Sequence, residues 1–147
     1  ALLAENFYYQ KKYQKSKDIY NQLKTVGLPY SWYSSRSIST ILLAEKGIKS
    51  AVENIEQEFN LLKNPNFEHY YDMANFYKEN NYHSDAIKYY SLALNDLSND
   101  HSLIPKILDK RGSSYERLGD WGKAEKDLLQ SLSKDSLIPS SFLSRTY

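Results

Sequence analysis

A tetrapeptide that returns after a fixed interval constrains this chain more than any other feature. Ser102-Leu103-Ile104-Pro105 recurs as Ser136-Leu137-Ile138-Pro139, 34 residues further on. The prolines keep a related beat: Pro29, Pro65, Pro105 and Pro139 stand 36, 40 and 34 residues apart. A period in this range marks a chain built from stacked copies of one supersecondary unit. Proline has no backbone N–H and suits the first turn of a helix, where that donor has no helical partner to lose. Each of these prolines is therefore expected to open, or just precede, the first helix of a unit.

Between the prolines the apolar residues follow helical spacing. Tyr70, Met73, Ala74 and Tyr77 make one stripe, and Ala86, Ile87, Tyr90, Ala93, Leu94 and Leu97 make the next. Leu108, Gly112, Tyr115 and Leu118 then precede Trp121, Ala124, Leu128, Ser131 and Leu132, with a tight turn at Gly119-Asp120 between them. Stripes about three turns long are too short to be stable alone, so these helices must be held by neighbours. The mean hydropathy of −0.68 is low. Yet 41% of the 147 residues are hydrophobic and 14% aromatic, with fourteen tyrosines, which argues against a disordered chain.

This pattern resembles the tetratricopeptide repeat, a 34-residue helix-turn-helix. That family carries a small residue at the eighth position of its repeat, Tyr at the eleventh, Ala at the twentieth and a small residue at the twenty-seventh. Here Gly112, Tyr115, Ala124 and Ser131 fill those places in one unit, and Ala74, Tyr77, Ala86 and Ala93 in the unit before it. The physical demand is that two helices cross closely at the small positions while the aromatic fills the space beside the crossing. Earlier units fit less fully: Ser39, Leu42 and Ala51 match, but Glu58 stands where a small residue is expected. The first unit offers Ala4, Phe7, Ser16 and Leu23, with its turn over residues 11–16.

The expected architecture is thus all-α: a right-handed α-solenoid of about four units at 1–28, 30–64, 66–99 and 104–137, followed by a partial fifth over 138–147. The register advances by 35 residues from Ser16 to Ala51 and from Ala51 to Ala86, but by 38 from Ala86 to Ala124. The surplus is assigned to the polar loop from Asn95 to Leu103. Position 1 is not Met, and Ala1-Leu2-Leu3-Ala4 lacks the charged, longer pattern of a signal peptide, so the chain is read as a piece of a longer protein.

Composition and motifs narrow the function. Nineteen basic against eighteen acidic side chains give a net charge of +1, which supplies no global field for nucleic acid or an anionic membrane. The run Ile41-Leu42-Leu43-Ala44 is far too short to cross a bilayer. Cysteine is absent, which removes disulfides and thiolate chemistry and leaves the compartment open. His69, His83 and His101 form no ligand motif and read as isolated surface or rim residues. Glu56 with Glu58, and Asp96 with Asp100, read as solvated helix faces rather than a paired acid and base. The same reading covers the basic run Lys11, Lys12, Lys15 and Lys17. In the tyrosine pairs 8–9, 70–71 and 89–90, one ring is expected to pack inward and the other to face out. No catalytic residue, metal ligand or cofactor site is expected.

The resemblance implies a binding face instead. In that family the first helices of successive repeats line a concave groove that takes a peptide or a partner protein. Carried over by register, the contact residues are Tyr8 in the first unit, Tyr33 and Arg36 in the second, Tyr71, Asn75 and Lys78 in the third, and Lys106, Asp109, Ser113 and Arg117 in the fourth. Tyr, Arg and Asn offer rigid area with hydrogen-bonding capacity, as protein contact surfaces require. The family's clamp for a C-terminal carboxylate maps onto Arg36, Thr40, Asp72, Lys106 and Lys110, where Asp72 would repel the ligand. The expectation is a non-catalytic scaffold for a protein or peptide, flanked by adjacent repeats of a parent chain. The alternative is a structural spacer within a larger protein.

Overall fold

The computed structural model of the protein describes residues 13–25 and 30–134. Among the described residues there are seven α-helices and no strand. They are α1 Tyr13–Lys24, α2 Tyr30–Lys46, α3 Ile48–Asn60, α4 Phe67–Glu79, α5 His83–Asp96, α6 Ile104–Arg117 and α7 Trp121–Lys134. The chain divides into two compact units, Ala1–Lys63 and Asn64–Tyr147. In the first, α1 packs on α2 and α2 on α3; in the second, α4 packs on α5, α5 on α6 and α6 on α7.

Helix ends fall where local chemistry puts them. Pro65 precedes the N-cap Asn66, whose side chain accepts from the Glu68 N–H at 3.0 Å. The reciprocal half of this capping box is the Asn66 N–H donating to His69 Nδ1 at 3.0 Å. Pro105 occupies the first turn of α6, as its missing donor favours. Pro29, Pro139 and the segment 138–147 lie outside the described residues. The turn expected over residues 11–16 is helical from Tyr13 onward.

One pattern of turn hydrogen bonds recurs three times. The Gly47 N–H donates to the Leu42 carbonyl, Tyr82 to Tyr77, and Asp120 to Tyr115, at 3.1, 2.9 and 2.9 Å. The following helix then begins with Ala51, Ala86 and Ala124 donating to the carbonyls of Gly47, Tyr82 and Asp120. Both sets advance by 35 and then 38 residues, matching the sequence register. Gly119 has φ +79°, a left-handed value that costs glycine little; in the equivalent turn Asn81 adopts φ 66°.

The small positions sit at helix crossings. Ser16, Ser39, Ala51, Ala74, Ala86 and Ala93 are fully buried, and Gly112, Ala124 and Ser131 are buried between α6 and α7. A Cβ placed on Gly112 would lie 3.0 Å from Leu128 Cγ and 3.3 Å from the Ala124 carbonyl oxygen, so a larger residue here would require α7 or the Leu128 side chain to give by a few tenths of an ångström. The Ser131 hydroxyl donates to the Pro105 carbonyl at 2.7 Å and ties the far end of the same pair.

Glu58, the misfit at a small position, is explained by its partners. Its carboxylate accepts from Lys24 at 2.6 Å and from the Ser35 hydroxyl at 3.1 Å, so a charge replaces close packing at that point. This belongs to a polar interior in the first unit, where Ser16, Ser34, Ser35 and Ser39 are buried and Asn54 donates to Ser39 Oγ at 2.8 Å. Beside it Tyr20, Ile38 and Ile41 form an apolar cluster with Tyr33 and Leu42 against it.

Three packing expectations are corrected. Tyr89 and Tyr90 are both buried: Tyr89 stacks on Tyr77 at 5.7 Å, while the Tyr90 ring packs by Tyr71. Trp121 and Leu118, read as members of a buried stripe, are 65% and 52% exposed. They flank the turn, where the helix has not yet met its neighbour.

Candidate protein-binding face

The first helix of each hairpin carries the predicted contact residues. On α4, Tyr71, Asn75 and Lys78 stand four and three residues apart and share a face. On α6, Lys106, Asp109, Ser113 and Arg117 do the same. Within the second unit the two faces touch directly, since the Lys110 ammonium lies over the Tyr71 ring, 5.8 Å from its centroid. In the sequence Lys110 stands out only as a clamp position. Its cation–π contact makes it the residue that joins the faces.

These side chains differ in availability. Lys106 and Arg117 are exposed, and Lys78, Asp109 and Ser113 are half-buried. Tyr71 is half-buried against Tyr90 at 6.2 Å. Asn75 is held from behind, where its side-chain oxygen accepts a hydrogen bond from the Tyr90 hydroxyl. Burial raises the Tyr90 pKa above its ordinary value, and Tyr71 and Glu79 push it further, so the phenol stays a donor to Asn75.

In the first unit Tyr33 and Arg36 are on α2, three residues apart. Tyr33 packs edge-on to Tyr20 at 6.0 Å, and the Arg36 guanidinium lies 5.8 Å from the Tyr33 ring centroid. Tyr33 is thus as much part of the core margin as of a face. Tyr8 lies outside the described residues.

Behind α6 lies a charge network that sequence reasoning missed. Arg111 donates from Nε and Nη2 to both oxygens of Asp127 at 2.7 and 2.8 Å, and from Nη1 to Ser91 Oγ at 3.1 Å. Asp127 is 3% exposed. The bond to Asp127 holds the Arg111 pKa above its ordinary value against the opposing effect of burial. The pair joins α5, α6 and α7 and fixes the rotation of α6, hence which of its residues face outward. Arg at the seventh and Asp at the twenty-third position of one unit were the available signal, but spacing alone does not say that both turn inward.

The histidines and acidic pairs take architectural places. His101 Nδ1 accepts from the Leu103 N–H at 3.1 Å, and its ring lies 5.2 Å from Phe67. Asp96, at the end of α5, accepts from the Phe67 N–H at 2.7 Å and so closes the start of α4. Lys17 of the basic run pairs with Glu45 at 3.0 Å, tying α1 to α2. Among the described residues no group of three or more His, Cys, Asp or Glu could hold a metal ion. None of the described helices is long and apolar enough to cross a membrane.

Among the described residues, fold and face together define an all-α protein whose hairpins α2–α3, α4–α5 and α6–α7 each carry polar and aromatic side chains on the first helix. No protein-family model matches the chain, and no curated protein matches it.

Proposed function

We propose that this chain is a segment of a tetratricopeptide-type array, a non-catalytic α-solenoid scaffold that binds a peptide or partner protein along the face of its first helices. One observation carries the reading. The same pair of turn hydrogen bonds recurs at Leu42-Gly47-Ala51, Tyr77-Tyr82-Ala86 and Tyr115-Asp120-Ala124, which sets corresponding positions of α2, α4 and α6 at the same register from their own turns. Tyr71, Lys78, Lys106, Asp109, Ser113 and Arg117 are then the contact residues of the second unit, with adjacent repeats of a parent chain continuing the surface.

The test uses the two exposed cations. Lys106→Glu with Arg117→Glu is expected to weaken capture of the proteins retained by the immobilised wild-type chain by at least about tenfold, while leaving the melting temperature close to wild type. Lys126→Glu on the exposed side of α7 serves as control. Equal retention by both variants sinks the assignment of this face.

A second reading has its own support. Asn75 is bound by Tyr90, Tyr71 lies between Tyr90 and Lys110, and Arg36 covers Tyr33, so part of the face is already used inside each unit. A structural spacer needs only that. Extending the chain with its parent sequence at both ends would then raise stability and recover no separate partner.

A further inference from the structure

His83 is a histidine that neither the packing nor the binding face requires. It is the first residue of α5, half-buried, with Nδ1 3.2 Å from Ser114 Oγ on α6. Ser114 is fully buried, so this contact is a polar tie between the second helix of one hairpin and the first helix of the next. A neutral imidazole exchanges one hydrogen bond with a hydroxyl, which can donate or accept. A proton added to the ring therefore brings a charge to the joint without bringing another bond to Ser114.

The surroundings oppose that charge from each packed element. From α4 comes Lys78, and from α6 comes Arg117, both acting on the ring. The helix itself opposes it, because its N-terminal end carries the positive pole of the macrodipole and the N-cap Tyr82 makes no side-chain cap bond. Asp85, in the same first turn, is an exposed acidic residue.

We propose that His83 is a proton-sensitive joint: neutral, it ties the first turn of α5 to the interior of α6, and protonated, it keeps its hydrogen bond to Ser114 but adds a cation that Lys78 and Arg117 oppose, which weakens the packing of α5 there. The device stands on the geometry of the second unit and holds whether or not the outer face of α4 and α6 binds a partner. Burial, then Lys78, then Arg117 lower the pKa of the ring below 6.5. The unfolded chain takes up the proton near 6.5 while the folded chain resists it. The contribution is thus complete above about pH 6.5 and is lost as the pH falls through that value.

The experiment is a residue-resolved NMR titration of the imidazole in the full 147-residue chain, paired with thermal unfolding from pH 7.5 to 5. His83 is expected to titrate below 6.5, to move upward in 0.5 M salt (about 4 Å screening length), and to move upward again in Lys78→Met and Arg117→Met. In His83→Gln, which keeps a hydrogen-bonding side chain but no titration, the fall in melting temperature between pH 7.5 and 5 should be smaller than in wild type. Titration at or above 6.5, insensitivity to salt and to both Met variants, or an unchanged pH profile in His83→Gln each overturns the proposal. The wild-type titration decides the matter even if a variant fails to fold.

Discussion

At the scale of single residues, the approach of α6 to α7 is set by an absent side chain. Gly112 faces Leu128 and the Ala124 carbonyl, and a methyl group there meets a leucine branch at 3.0 and 3.1 Å. Gly112→Ala is therefore expected to cost about 1 to 3 kcal/mol through overpacking. Leu128→Ala combined with Gly112→Ala should cost less than the sum of the two single losses, because the leucine that obstructs the methyl is gone. Chemical denaturation of the three variants measures this. The small positions were legible in the sequence because a period exposes them: Ala74, Ala86, Gly112 and Ala124 fall in register and all are buried. Trp121 was not legible. An indole in the first helical position satisfies the same spacing whether it turns to the core or to water, and here it turns to water.

At the scale of elements, α6 is held on two sides by different physics. Apolar contact through Ile104, Ile107 and Leu108 gives it a buried stripe, while the Arg111 guanidinium reaches Asp127 on α7 and Ser91 on α5. Removing one member leaves a buried charge without its counterion. Arg111→Met or Asp127→Leu alone is expected to destabilise by about 3 kcal/mol, whereas the double variant recovers much of the loss. A double-mutant cycle in urea reads this coupling, and additive losses would show that the pair contributes nothing specific. Helices and turns were readable from stripes, prolines and Gly119, but this network was not. The sequence displays charges at helical spacing without displaying which of them are desolvated. Glu58 illustrates the same limit from the other side: it broke the small-residue pattern, and the reason lay in Lys24, 34 residues away in sequence.

At the scale of the molecule, the buried Tyr90 phenol is expected to make stability fall at alkaline pH. The Tyr90 phenol is held above its ordinary value of 10.0, first by burial and then by Tyr71 and Glu79. The unfolded chain releases that proton near pH 10 and the folded chain does not. The contribution is therefore complete below pH 10 and lost as the pH rises through it. Denaturation midpoints at pH 8, 9.5 and 11 should fall less steeply for Tyr90→Phe than for the wild type. The predicted α4 and α6 faces were legible to the extent that helical phase is legible. That Asn75 would be engaged from behind by Tyr90 was not, since each residue looked complete without the other. The bond from the Phe67 N–H to Asp96 joins the two ends of the α4–α5 hairpin that lie farthest from its turn. A pulling force applied at those ends would load that hydrogen bond before the packed layers nearer the turn. Asp96→Ala is therefore expected to lower the force at which tension between Phe67 and Asp96 begins to part the hairpin, with little effect on the helices nearer the turn.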